Sequence, residues 1–212
     1  MNQLVHFARG FAIGAHGDQK YGSGAPYYVH LDAVSDVLLD FKIDSIYLHK
    51  AAYLHDVLED TQTTPETIQN LFGADVLALV QAVTNEPGAN RKERHLKTYP
   101  KIRKAGEWAM MLKLADRIAN VSASLADTAG GKIGMYRKEH ASFKEALFTP
   151  SNPTIQAMWT HLDNLMGTKT DKLKVYVVIS GSNILGVYRK PKDAEAAQGG
   201  WPNVSIQPVE VE

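Results

Sequence analysis

The chain has 212 residues, enough for one ordinary domain with a small appendage, and 44% of them are hydrophobic, enough for a real core. Lysine plus arginine equals aspartate plus glutamate at 23 each, so no bulk charge draws the chain toward large nucleic acids or anionic membranes. The absence of cysteine excludes disulfides, thiolate metal sites and a cysteine nucleophile.

The first residues, Met-Asn-Gln-Leu-Val-His, lack the basic-then-apolar pattern of a signal peptide, and no apolar run approaches the roughly 20 residues that span a bilayer. A cytoplasmic protein is the expectation. Leu4, Phe7, Ala8, Phe11 and Ala12 recur at helical spacing and predict an amphipathic helix over 3–15. Gly17, Gly22, Gly24 and Pro26 then predict a flexible loop from 16 to 26. A second helix is expected from Tyr28 to Phe41. A third should be capped by Asp44 and run on to between Val57 and Glu59, with Tyr47 and Tyr53 in the core. Thr64-Pro65-Glu66 reads as a cap, a proline at the first helical position and an early acid, with Gly73 ending that helix. Further helices are expected over 74–84, 91–105, 107–125, 132–148 and 154–166. The run Arg91-Lys-Glu-Arg94-His95 reads as a solvated face, with phosphate contact as the alternative.

The tail changes character. Lys174–Ile179 and Asn183–Tyr188 are rich in β-branched and aromatic residues, Lys192–Gln198 is a short helical segment, and Asn203–Val211 alternates as a last strand. Pro208 puts that strand at a sheet edge. The fold class is therefore mainly α, a helical bundle over 1–167 followed by a small β-β-α-β module over 172–212. So small a unit should dock on the body, on a partner, or on a second copy in a homo-oligomer.

His55-Asp56 is the chemical focus. It lies in the otherwise apolar run Ala-Ala-Tyr-Leu-His55-Asp56-Val-Leu-Glu59-Asp60, where titratable groups are costly unless something pairs with them. His30 opens the second helix, and Asp116 sits in the apolar helix around Lys113-Leu-Ala-Asp116-Arg117. Packed helices can bring His30, His55, Asp56 and Asp116 to one point. The result is a nitrogen/oxygen ligand set suited to Mn²⁺, Fe²⁺ or Zn²⁺. Mn²⁺ is the first expectation, because a phosphate-directed site without thiolates favours a harder ion. Glu59 and Asp60 follow His55 and Asp56 by one helical turn, where they can ligate or can orient and deprotonate the attacking water.

The order His…His-Asp…Asp resembles that of HD-domain metal-dependent phosphohydrolases. The strings Pro26-Tyr27-x-x-His30, Leu54-His55-Asp56-x-x-Glu59-Asp60-Thr61, Phe72-Gly73 and Lys113-Leu114-Ala115-Asp116-Arg117 are similar to its RelA/SpoT-type branch, including the small alarmone hydrolases. The resemblance spans residues 3 to 125. It implies Mn²⁺-dependent removal of the 3′-pyrophosphate of (p)ppGpp, giving GDP or GTP and pyrophosphate. It also implies that His30, His55, Asp56 and Asp116 hold the metal, that Glu59 and Asp60 position water, and that Asn120 contacts the nucleotide.

The first loop departs from that branch. Relatives often carry an arginine-lysine pair there, whereas this chain reads His16-Gly-Asp-Gln19-Lys20-Tyr21-Gly22. Lys20 is expected to serve phosphates and Tyr21 to stack on a base, so guanine selectivity does not follow from this loop. Two alternatives stay open. One is a phosphohydrolase of another 2′/3′-phosphorylated nucleotide, such as NADPH or a modified RNA 3′ end. The other is an antitoxin-like module that neutralises a toxic alarmone synthetase.

Overall fold

A computed structural model describes residues 2–127, 131–149, 152–167, 173–180, 183–188 and 204–211. The chain divides into two compact units, Met1–Gly167 and Thr168–Glu212. The first consists of α1 (Gln3–His16), β1 (Lys20–Tyr21), β2 (Ala25–Pro26), α2 (Tyr28–Asp40), α3 (Ile46–Leu54), α4 (Val57–Asp60), α5 (Pro65–Phe72), α6 (Ala74–Val83), α7 (Arg91–Ala105), α8 (Glu107–Ala126), α9 (Ile133–Leu147) and α10 (Pro153–Met166).

Helix α8 is the spine of this unit. Ala109–Leu112, Leu114–Ala119 and Val121 are all buried, so the middle of the helix is enclosed on nearly every side. Helices α2, α3, α6, α7, α9 and α10 pack around it. Trp159, Phe143, Leu112, Leu114 and Ile118 are among its largest fully buried side chains. Any polar residue on α8 is thereby carried into the interior, and Asp116 and Arg117 are two such residues.

Local chemistry explains most boundaries. Asn2, Asn90 and Asn152 each accept a backbone N–H in the first turn of α1, α7 and α10, and Thr64 does the same for α5, which begins with Pro65. Gly73 and Gly106 adopt positive φ (93° and 96°) where one helix stops and the next begins at once, a backbone state that favours glycine.

Several expectations need correcting. The cap of α3 is Ser45, whose Oγ accepts from the Leu48 N–H, and not its exposed neighbour Asp44. Helix α3 ends at Leu54, and His55-Asp56 forms a break before the short α4, because the His55 ring bonds back to the Ala52 carbonyl at 2.8 Å. The buried face of α1 is Val5, Ala8, Ala12 and His16. Leu4 and Phe7 are more than half exposed, with Phe7 resting its ring on Phe72 at 5.4 Å. Tyr53 is in the core as expected, but Tyr47 is exposed and faces Trp108 at the surface, 6.3 Å away. The loop over 16–26 contains a two-residue antiparallel ladder, Lys20 opposite Pro26 and Tyr21 opposite Ala25.

The second unit contains β3 (Leu173–Ser180), β4 (Asn183–Tyr188) and β5 (Val204–Val211) in the antiparallel order β4-β3-β5. Its β3–β5 register runs from Leu173 opposite Val211 to Ser180 opposite Val204. Strand β5 is an edge strand, as Pro208 predicts. The helix expected over Lys192–Gln198 lies outside the described residues. The chain is thus mainly helical with a small sheet at its C-terminal end. Among the described residues, no helix is long and apolar enough to cross a membrane.

Candidate metal centre and catalytic cleft

Two helices and one break deliver the predicted ligands. His30 stands in the first turn of α2, His55 follows directly on the last residue of α3, Asp56 precedes α4, and Asp116 projects from the middle of α8. Their donor atoms converge. His55 Nε2 lies 3.3 Å from His30 Nε2, 3.0 Å from Asp56 Oδ2 and 3.8 Å from Asp116 Oδ1. His30 Nε2 lies 3.6 Å from Asp56 Oδ2 and 3.5 Å from Asp116 Oδ1.

These spacings suit a single small cation. Two ligands each about 2.1 Å from an ion sit about 3.0 Å apart at a right angle and about 3.4 Å apart at the tetrahedral angle. The His55 Nδ1–H donates to the Ala52 carbonyl, which can only accept, so Nε2 presents its lone pair to the cluster. His30, His55 and Asp56 alone form a group able to hold a metal ion, and Asp116 closes a fourth side. The donor set therefore fits a divalent metal.

The surrounding residues hold the carboxylates in place. Asp56 Oδ2 accepts from the Tyr27 hydroxyl at 2.5 Å. Asp116 Oδ2 accepts from Lys113 Nζ at 2.9 Å, and Oδ1 accepts from Asn120 Nδ2. The same Asn120 amide also donates to the Asp116 carbonyl at 3.0 Å, and its Oδ1 accepts from the Tyr21 hydroxyl at 3.1 Å.

Charge follows from this packing. Burial alone would raise the Asp56 and Asp116 carboxyls, but both lie far below the usual range. His55 and His30 draw Asp56 down, and Lys113 with the two histidines draws Asp116 down. Burial opposes a charge on His30, yet hydrogen bonds to Asp116 and Asp56 outweigh it and raise its pKa to about 9. Burial, reinforced by Asp56, pushes the Tyr27 phenol upward, so it stays a donor.

A cavity of about 720 Å³ opens on the centre. His30, Asp56, Asp60 and Asp116 line it together with the basic residues Lys20, Arg91, Lys113, Arg117 and Lys132. Asp60 thus reaches the cavity, where its Oδ2 accepts from Gln19 Nε2 at 2.9 Å. Glu59, exposed like Asp60, is turned to the loop after α6, its two oxygens accepting from the Asn85 N–H at 2.7 Å and Asn85 Nδ2 at 2.9 Å. Lys20 is exposed on the hairpin. The Tyr21 ring is stacked on His30 (centroids 4.8 Å, planes 21° apart), so one of its faces is already covered.

Some of this cleft was not read from the sequence. Arg91 and His95 line it instead of forming a solvated face. Arg91 donates to Glu139 at 2.6 Å, and the buried Arg117 shares that carboxylate at 3.1 Å while lying over the Tyr136 and Phe143 rings. Burial, with Arg91 beside it, pushes the His95 pKa down to about 4, so the imidazole is neutral at pH 7. The basic residues of 91–95 were the available signal, but helical phase alone does not say which of them face inward.

The HD domain family profile matches residues 8–133, more than half of the chain. Guanosine-3′,5′-bis(diphosphate) 3′-pyrophosphohydrolase MESH1 of Danio rerio is 33% identical over 114 residues, 52% of this chain and 63% of that protein. The guanosine-3′,5′-bis(diphosphate) 3′-pyrophosphohydrolase of Aquifex aeolicus (strain VF5) is 39% identical over 114 residues, 52% of this chain but 16% of the larger protein. The chain therefore spans less than two thirds of the length of these curated relatives. A solved structure of a metazoan ortholog of SpoT that hydrolyzes ppGpp superposes with a TM-score of 0.69 at 25% identity, covering 79% of this chain and 98% of that one. With its two histidines and two aspartates gathered at one point and its sequence matched over 8–133, the chain belongs to the HD domain family.

Proposed function

We propose that this protein is a Mn²⁺-dependent hydrolase that removes the 3′-pyrophosphate of (p)ppGpp, releasing GDP or GTP and pyrophosphate, and that residues 1–167 carry the activity. The observation that carries the reading is the convergence of His30 Nε2, His55 Nε2, Asp56 Oδ2 and Asp116 Oδ1 beside a cavity that His30, Asp56 and Asp116 line together with arginine and lysine side chains. The activities named for the Danio rerio and Aquifex aeolicus relatives support it. A cytoplasmic location and a guanine nucleotide as substrate go with it.

His30, His55, Asp56 and Asp116 hold the metal, which supplies positive charge beside the phosphoryl group and acidifies water. Mn²⁺ is the ion assigned, with Fe²⁺ and Zn²⁺ as the alternatives, because a site without thiolates that faces phosphate oxygens suits a harder ion. Asp60, at the cavity wall, accepts the proton of the attacking water. Glu59 fixes the loop at Asn85 and through it the end of α4. Lys20, Arg91 and Arg117 offer the charge-assisted hydrogen bonds that orient phosphate oxygens. Asn120 holds Asp116 and meets the nucleotide together with Tyr21.

Purified protein with Mn²⁺ should release pyrophosphate from ppGpp, and His55→Ala or Asp116→Ala should abolish release by at least about a thousandfold. Absence of turnover by the wild-type protein with Mn²⁺, Fe²⁺ and Zn²⁺ would contradict the reading. A second reading keeps the chemistry and changes the nucleotide. It is favoured by Tyr21, which packs on His30 and bonds Asn120, and so offers a ring face in place of a guanidinium. Comparing ppGpp with adenine-based 2′- or 3′-phosphorylated substrates such as NADPH decides it.

A further inference from the structure

The last turn of α1 and the hairpin after it reach the centre from outside the ligand set. Gln19 is fixed at both ends of its peptide unit, its N–H donating to the His16 carbonyl (3.0 Å) and its carbonyl accepting from the Tyr27 N–H (3.0 Å). Its side chain bridges two groups, with Oε1 2.8 Å from His16 Nδ1 and Nε2 2.9 Å from Asp60 Oδ2. A carboxylate can only accept, so the Gln19 NH₂ must face Asp60 and its carbonyl must face His16. His16 Nδ1 is then the donor. His16 is 7% exposed and its Nε2 is buried with no partner, so the ring has one polar contact, and the Gln19 orientation fixed at Asp60 makes Nδ1 the protonated nitrogen. The other anchor of the ring is apolar, a stack on Tyr27 with centroids 4.3 Å apart. Tyr27 in turn donates to Asp56.

We propose that Gln19 is a positioning residue for hydrolysis, holding Asp60 at the cavity wall, and that His16 Nδ1 anchors the carbonyl end of the Gln19 amide. The proposal rests on the hydrolase reading and adds to it the group that fixes the distance between the proton acceptor and the metal ligands. Glu59 differs from Asp60 here. Both of its oxygens are taken by Asn85, whereas Asp60 itself lines the cavity, so Asp60 is the carboxylate that a small displacement would take out of register.

The test uses the full-length protein and two substrates, ppGpp and bis(p-nitrophenyl) phosphate, a generic diester that needs the metal and the base but no nucleotide contacts. Gln19→Leu keeps the size of the side chain and removes the donor to Asp60. It should lower kcat on both substrates about tenfold to a hundredfold, the scale expected for a misplaced reacting group. KM and Mn²⁺ affinity should stay within about twofold of wild type. His16→Phe keeps the stack and loses the Nδ1 donor, and should behave like Gln19→Leu. His16→Asn restores an N–H near Nδ1 and should recover kcat to within about threefold of wild type. Wild-type kcat in Gln19→Leu would overturn the proposal, as would a loss of kcat matched by an equal loss of Mn²⁺ affinity, which marks a structural effect on the centre. Activity on the diester without activity on ppGpp would contradict the proposed substrate and leave the Gln19 comparison decisive, while a wild-type protein inert toward both would overturn both readings.

Discussion

At Asp56 a half-buried carboxylate is held by three neighbours: His55 at 3.0 Å, His30 at 3.6 Å and the Tyr27 hydroxyl at 2.5 Å. Two of these were legible in the sequence, since imidazole and carboxylate in the order His…His-Asp…Asp already define a ligand set. Tyr27 was not legible as a partner, because it lies 29 residues away and meets Asp56 only once α2 packs beside α3. Outer partners of this kind tune metal sites, so Tyr27→Phe should weaken Mn²⁺ binding about tenfold to a hundredfold by calorimetry, with the fold intact by circular dichroism. The His30 pKa, raised from 6.5 to about 9, gives a pH dependence of definite sign. In the metal-free protein that raised pKa contributes stability fully present below pH 6.5 and lost as pH rises through about 9. Metal binding requires the neutral ring, so Mn²⁺ affinity should rise with pH up to about 9 and level off above it. An affinity that falls over that range would contradict the assignment of His30 as a ligand.

Most helices were legible because their punctuation is local. Thr64-Pro65, Gly73, Gly106 and the asparagine caps mark ends that the backbone obeys. The misreadings arise where tertiary contacts decide. Asp44 and Ser45 are both good caps, and one position separates them. Helix α3 was expected to continue through His55, but the ring's bond to Ala52 and the convergence on the metal centre stop it there. The 16–26 loop was read from its glycines as flexible, whereas Tyr21, bonded to Asn120 and stacked on His30, anchors a short hairpin over the cleft. Caps also carry measurable stability. Asn152 accepts from the Thr154 and Ile155 N–H groups at 2.9 and 3.1 Å and donates to Glu107 at 2.7 Å. Asn152→Ala should therefore cost about 1 kcal/mol. That lowers the melting temperature by about 2–4 °C for a chain of this size, with kcat unchanged. An unchanged melting temperature would show that α10 does not depend on this cap.

On the scale of the whole molecule, every residue assigned to the chemistry lies within Met1–Gly167, and the β4-β3-β5 sheet belongs to Thr168–Glu212. The division was visible as a switch from helical periodicity to β-branched alternation, although the purpose of the sheet was not, since strand composition names no partner. Removing residues 168–212 should leave pyrophosphate release from ppGpp within about threefold of the full chain. A change in oligomeric state without loss of turnover, read by light scattering, would assign the sheet to assembly, and a large loss of turnover would contradict the placing of activity in the first unit. Four side chains, from α2, α8 and the α3–α4 break, are proposed to hold one catalytic metal. Anomalous diffraction from crystals grown with Mn²⁺ tests it most directly. The predicted result is a single strong peak about 2.2 Å from His30 Nε2, His55 Nε2, Asp56 Oδ2 and Asp116 Oδ1. A fully occupied Mn²⁺ peak elsewhere, with these four atoms left uncoordinated, would contradict it.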